Sequence, residues 1–257
     1  MTTVAIIVAL TAFLFALQHT VRRTNRWLLW LAYGVIPAAL AAHWVSNNDF
    51  GPFVWIKLIS VLFCVCYGTA VRDTALGKRS WGRSVLTVLL ALNILEAVVL
   101  DCLGGTLAHA LNAVAGLALV AALPRTLDVS RIVADAHVRD IQFRGVSFQW
   151  IIGYSVWNWT FVYLNYPEFA GHHIAVLLSC VLVGAIDSRL WLQARACTLG
   201  AHLMLMVTFP ELIRSGLDTS SWSDPVVGLF AAFVALGVAG SALRPRLAPV
   251  TPVLAAA

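Results

Sequence analysis

Long apolar runs alternate with short polar connectors along the chain as far as about residue 243. Runs of roughly 17–25 apolar residues can cross a bilayer as helices. The pattern predicts about nine such helices, over residues 2–18, 27–46, 53–71, 83–103, 106–123, 147–165, 169–186, 190–209 and 225–243. We therefore expect an all-α, polytopic membrane helix bundle that forms a single unit over residues 1–246, with a loose tail over 247–257.

The composition agrees with a membrane bundle. Hydrophobic residues make up 60% of the chain and charged residues only 11%, whereas soluble domains have about 25% charged residues. The net charge of +5 does not indicate nucleic-acid binding, because the arginines cluster in connectors. The partner that we expect is the lipid bilayer, and the expected location is the bacterial inner membrane, crossed several times. The first apolar run has no basic region before it, so we expect a spanning helix rather than a cleaved signal peptide.

The positive charges predict the orientation. Arginines and lysines concentrate in alternate connectors, at residues 19–26, 72–83, 124–145 and 187–189 and after residue 243. The connectors between these carry a single basic residue, Arg214. Since cytoplasmic connectors are enriched in Lys and Arg, we expect the N-terminus outside and the C-terminus in the cytoplasm. Within the connector at 128–143, apolar residues fall near one helical face, which predicts an amphipathic helix on the cytoplasmic membrane surface.

One predicted helix carries acidic residues. Residues 84–103 are apolar except for a few polar positions, which include Asn93, Glu96 and Asp101. A carboxylate at membrane depth is costly and usually functional, so Glu96 is the first candidate for a catalytic group. The structural alternative is an acid neutralised by Lys57 or hydrogen-bonded to Asn93.

Other predicted helices carry polar and aromatic residues on one face, as expected where that face points into a bundle. The candidate substrate-binding residues are Lys57, Asn93, His109, Asn112, Tyr154, Trp157, Asn158, Phe161 and Arg195. Counting 1.5 Å per residue places most of them in the outer half of the membrane and Arg195 in the inner half. We expect one interior polar site that opens outward or to lipid, with an arginine-centred cluster beneath it. The pair His172 and His173 lies at a helix entry and is expected to be solvated.

A buried acid surrounded by aromatic rings suits proton-initiated isoprenoid cyclisation. An apolar pocket keeps a carboxyl group protonated, and aromatic faces stabilise a carbocation. Glu96 or Asp101 would be the acid, and the substrate would be a hydrophobic prenylated small molecule. This chemistry needs no metal and no cofactor.

Two other classes use the same residues. In a proton-coupled small-solute transporter or channel, Glu96, Lys57 and Asp101 would form a relay. In a pigment-binding bundle, Lys57 would form a Schiff base with Glu96 as counter-ion. A metal site at His109, His172 and His173 has no supporting Cys or His spacing.

The run Asn93-Ile94-Leu95-Glu96, followed by Asp101, is similar to the Asn/Glu segment of the small integral-membrane terpene cyclases of meroterpenoid pathways. The resemblance implies an intramembrane acid that starts cyclisation and a second acid from a late helix, for which Glu211 fits better than the cytoplasmic Asp187. Those cyclases usually have Trp where this chain has Leu95, and seven spans rather than nine. Residues 154–163 and 191–199 also look like segments of an uncharacterised bacterial polytopic membrane family, a likeness that extends over about residues 85 to 215 and implies no activity.

Overall fold

The fold is an all-α bundle of ten helices in a computed structural model that describes residues 3–124, 129–133 and 139–247. The helices are α1 (Thr3–Arg23), α2 (Arg26–Asn47), α3 (Pro52–Asp73), α4 (Ser80–Leu103), α5 (Leu107–Ala121), α6 (Phe148–Asn165), α7 (Ala170–Ile186), α8 (Trp191–Thr208), α9 (Pro210–Gly216) and α10 (Pro225–Leu247). Two strands, β1 (Val129–Val133) and β2 (Arg139–Phe143), pair between α5 and α6. The predicted loose tail lies outside the described residues from residue 248 onward.

Each of the nine predicted spans coincides with a helix in the described part of the chain. Seven helical segments are long and apolar enough to cross a membrane. Helix α5 is apolar but shorter, and α6 is not among the seven, since polar and aromatic residues occupy much of its length. The prediction of a polytopic helical bundle is confirmed.

Helices α7 and α8 form the centre of the bundle. They are the most buried of the seven spanning segments, whereas α1 and α2 are the most exposed. Around them, α1 packs on α7, α3 on α8 and α6 on α7, while α10 covers α5 and α6. Large aromatic side chains from α6 and α8 fill the middle, where Tyr154, Trp157 and Trp191 are almost completely buried. The aromatic stripes predicted on these two helices therefore face inward.

Proline explains an irregular turn in α2. The helix winds more loosely over Leu31–Val35, as a π-turn, just before Pro37. Proline has no backbone N–H, so the carbonyl of Tyr33 lacks its usual partner four residues ahead, and the Cys66 thiol donates to it over 3.4 Å. The Tyr33 hydroxyl donates to the carbonyl of Cys197 at 3.0 Å. One residue thus connects the exposed helix α2 to both α3 and α8.

The basic connectors gather at one end of the bundle, which we call the basic end. Arg22 donates to Asp140 at 2.8 and 2.7 Å, and Arg26 donates to the carbonyl of Asp73 at 3.2 Å. At the opposite end, the Asn48 side chain donates to the carbonyl of Val207 at 2.9 Å. Alternate connectors therefore lie at alternate ends, as the charge pattern predicted.

The amphipathic helix predicted over 128–143 is wrong for its described residues, which form an antiparallel pair of strands with Val129 opposite Phe143. The segment is rich in β-branched residues, which favour strands. Strand β2 also buries both of its faces, since Asp140, Ile141 and Phe143 are all buried. A helix that lies on a membrane surface could bury one face alone. Residues 128 and 134–138 of the predicted helix lie outside the described residues.

Candidate functional site

Arg195 lies in the interior of the bundle, on α8, and is only 4% exposed. Its Nη2 donates to Oδ1 of Asn158 at 2.7 Å and its Nε donates to the Tyr154 hydroxyl at 3.3 Å. The guanidinium carbon lies 5.7 Å from the centre of the Tyr154 ring. The Nη1 group is buried and has no hydrogen-bond partner among the described residues. None of the described acidic residues forms an ion pair with Arg195.

Three buried histidines lie on α7 and α8, the two central helices. Nε2 of His173 lies 2.7 Å from the same Asn158 oxygen, so in this arrangement it carries a proton and donates. The rings of His172 and His202 lie 5.7 Å apart, and Nδ1 of each is buried without a partner among the described residues. The expectation that His172 and His173 are solvated is therefore wrong. Both are covered because α7 is a central helix, and its entry packs beneath the loop that contains Thr219.

Two cavities meet at Arg195. The inner cavity, about 70 Å³ in volume, extends toward the basic end, where Val21, Gly68 and Ile141 line it. The outer cavity, about 80 Å³, extends toward the opposite end. Asn93, Arg195 and Leu199 line both. Together the two cavities follow the length of the bundle on either side of the guanidinium.

Four aromatic residues line the outer cavity: Phe53, Phe161, Tyr166 and Phe169. The rings of Phe53 and Tyr166 stack with centres 5.9 Å apart. Burial raises the pKa of the Tyr166 hydroxyl, so the group stays neutral. The cavity thus combines an apolar, ring-lined wall with a cationic inner end, and its polar side chains include Lys57, Asn158, His173 and His202.

Glu96 lies in a tight ion pair. Its Oε2 is 2.8 Å from the Lys57 ammonium group and accepts a hydrogen bond from the Ser60 hydroxyl at 3.1 Å. Lys57 also donates to the backbone carbonyl of Asn93 at 2.9 Å. Lys57 and Asn93 line the outer cavity, but Glu96 lines neither of the two cavities. This ion pair with Lys57 is the structural role considered for Glu96 in the sequence.

Asp101 belongs to a separate polar cluster. It is 1% exposed, and its two carboxylate oxygens accept from Nδ2 of Asn112 at 2.7 Å and from Nδ2 of Asn165 at 2.9 Å. Trp157 donates from its indole nitrogen to the backbone carbonyl of Asn112 at 2.9 Å. These contacts connect α4, α5 and α6. Among the described residues, Asp101 makes no contact with Lys57 or Glu96 that would form the predicted relay.

Two predicted site residues lie away from both cavities. The half-buried His109 ring lies at the start of α5, where Nδ1 is 2.6 Å from the hydroxyl of Thr106. The Glu211 side chain is 91% exposed, at 3.9 Å from Arg214 on α9. Neither reaches Arg195. In the structure, the predicted group that stays together is Lys57, Asn93, Tyr154, Asn158, Phe161 and Arg195.

Several residues of the site, among them His202 and Phe53, were not candidates in the sequence. His202 lies seven residues after Arg195 on α8, two turns along the same face, and this spacing was the available signal. Phe53 carries no comparable signal, because an aromatic residue near a helix start is common in membrane proteins. Within the described residues, no group of three or more His, Cys, Asp or Glu could hold a metal ion.

The model of one protein family, described as a family of unknown function (DUF5692), matches residues 1–243. The chain belongs to this family. Neither a curated protein nor a solved structure matches the chain. The DUF5692 family brings no activity with it.

Proposed function

We propose that this protein binds a small organic anion at Arg195 and carries it between the two ends of the bundle. The observation that supports the proposal is the buried guanidinium with a free Nη1 and no acidic partner among the described residues. Arginine stays protonated in proteins, and burying a charge is costly unless it is paired. An anion bound at Nη1 would supply the missing charge.

The surroundings favour an anion over a cation. Lys57 is already neutralised by Glu96, so Arg195 contributes a net positive charge to the outer cavity. The free Nδ1 of His202 adds a group able to donate a hydrogen bond to a carboxylate or phosphate oxygen. Among the described residues, no aspartate or glutamate lines either cavity.

Transport, rather than binding alone, is favoured by the two cavities. They extend toward opposite ends of the bundle and share Arg195 as a lining residue. Substrate sites of membrane carriers lie near the middle of the bilayer, between two alternating access routes. A single cation at the junction would serve both routes.

The test uses purified protein reconstituted into liposomes, with labelled octyl phosphate as the probe and octyltrimethylammonium as the charge control. The wild type is expected to take up octyl phosphate and not the cation. Arg195→Gln should lose at least tenfold in binding and uptake, and Arg195→Lys should retain part of both. Arg189→Gln is the matched control, because Arg189 is exposed and paired with Asp187.

The two parts of the proposal can fail separately. Full binding by Arg195→Gln would refute the anion site. Binding without uptake in the wild type would refute transport and leave an anion-binding protein.

Acid-initiated isoprenoid cyclisation is the second candidate. The observation in its favour is the aromatic wall of the outer cavity, which suits a carbocation. It ranks second because Glu96 is paired with Lys57, and Asp101 and Glu211 do not line the cavities. For this mechanism Glu96→Gln should abolish turnover of a prenylated substrate in a folded protein, with Asp49→Asn as the exposed control. Turnover unchanged in Glu96→Gln would remove the hypothesis.

A further inference from the structure

We propose that the anion is chain-like, with its charged headgroup in the outer cavity beside Arg195 and its apolar chain in the inner cavity. This inference rests on the proposed anion site and adds the shape and orientation of the ligand. It follows from a difference between the two cavities, which share a wall but offer opposite chemistry.

The outer cavity offers free polar groups. Nη1 of Arg195 and Nδ1 of His202 are both buried and lack partners among the described residues. Both residues line this cavity, and each is less than one-tenth exposed. A phosphate or carboxylate headgroup placed there would accept hydrogen bonds from groups that otherwise have no partner, which is the geometry expected of a binding site rather than of a packed core.

Near the basic end, the described residues that line the inner cavity offer no free polar group. Its walls are mainly aliphatic, and its polar side chains there are already engaged. Arg72 donates to Asp73 at 2.9 Å and to the carbonyl of Val21 at 3.2 Å. Thr69 donates to the carbonyl of Val65 at 2.9 Å, and the Gln193 side chain contacts Asp140 at 3.2 Å. The described polar side chains here thus have no hydrogen-bonding group left over for a charged ligand, whereas a hydrocarbon chain would lose no hydrogen bonds by entering this space.

The junction fixes the direction of the ligand. Arg195 lines both cavities, so a headgroup held by its guanidinium lies at the mouth of the inner cavity. A chain that leaves this headgroup toward the basic end enters the aliphatic space directly. Ile141 of strand β2 lines that space beside Gly68, toward the basic end, and we expect it to limit the chain length.

The test measures affinity of the purified protein for a series of n-alkyl phosphates, from ethyl to hexadecyl, by isothermal titration calorimetry below their micelle concentrations. Affinity of the wild type is expected to rise by up to about fourfold per added methylene, the gain for burying one CH₂. The rise should stop once the chain reaches Ile141.

Two variants change the length of the space. Gly68→Leu adds a side chain to the inner cavity, where a Cβ atom would meet only Ile141, at an ordinary 3.5 Å. We expect it to weaken binding of the long chains at least tenfold and to leave ethyl phosphate within twofold. Leu192→Ala enlarges the same cavity and should move the plateau to longer chains, which keeps the test valid if Gly68→Leu does not fold. Gly237→Leu is the matched control, because nothing lies within 4 Å of a Cβ atom there.

The outcomes separate this inference from the anion site itself. The chain-like ligand would be overturned if affinity depended on Arg195 but not on chain length. It would also be overturned if long-chain affinity were unchanged in Gly68→Leu and in Leu192→Ala. Either result would leave the proposed function standing. Ethyl phosphate binding that does not depend on Arg195 would overturn both.

Discussion

Replacing Asp101 by asparagine tests whether this buried acid is a structural anion. The carboxylate accepts from Asn112 and Asn165 at 2.7 and 2.9 Å and is 1% exposed. In Asp101→Asn one of the two oxygens becomes an NH₂ group that faces another NH₂ group. One hydrogen bond to a charged acceptor is then lost, at a cost of about 1.5–3 kcal/mol.

The magnitude distinguishes an ionised acid from a neutral one. Neutral hydrogen bonds between spanning helices contribute only about 0.6 kcal/mol on average. A loss above about 1.5 kcal/mol in Asp101→Asn would therefore indicate a charged acceptor. The assay is unfolding by sodium dodecyl sulfate in mixed micelles, followed by circular dichroism, with the free energy of unfolding compared between variant and wild type.

A charge exchange provides the control. The double variant Asp101→Asn with Asn165→Asp moves the carboxylate from α4 to α6 and restores one carboxylate–amide contact. It should recover at least half of the lost stability. A free energy of unfolding of Asp101→Asn within about 0.5 kcal/mol of the wild-type value is well under the cost of one charged hydrogen bond. That result would refute the structural role assigned to the carboxylate.

Two further predictions concern packing and charge in the bundle. Lys57→Met should destabilise the protein by about 1–3 kcal/mol, because it leaves the partly buried Glu96 carboxylate without its cation. Adding Glu96→Gln should recover most of this loss. A double variant no more stable than Lys57→Met would contradict the ion pair. Gly116→Val should cost about 1–3 kcal/mol by overpacking, because a Cβ atom at this position would lie 2.5 Å from Val98; thermal unfolding should show no such loss for Gly237→Val.

The sequence predicts the helices well because each long apolar run must satisfy its backbone hydrogen bonds internally once it is in lipid. It also predicts that the polar faces of α6 and α8 point inward, since spacing alone places Tyr154 and Asn158, or Arg195 and His202, on one side of a helix. The prediction of an amphipathic helix over 128–143 failed, because a segment with mixed β-branched and charged residues fits both the helical and the strand periodicity until its tertiary contacts are known.

The roles of individual groups were harder to predict than their positions. Counting residues along α8 placed Arg195 below the main site, whereas its long side chain reaches Asn158 and Tyr154. Long charged side chains displace their charge from the level of the backbone. The sequence offered Lys57 as a possible partner of Glu96. Whether Glu96 pairs with Lys57 or faces a cavity depends on side-chain packing, which residue spacing does not predict.

Strand β2 links the connector between α5 and α6 to a cavity inside the bundle. Asp140 binds Arg22 of α1 and Gln193 of α8, while the next residue, Ile141, lines the inner cavity beside Gly68. Because strand β2 belongs to a connector, this part of the cavity lining can shift without any rearrangement of the spanning helices. A change in the position of that strand, caused by a bound protein or by loss of the Arg22 contact, would therefore alter how much hydrocarbon the inner cavity accepts.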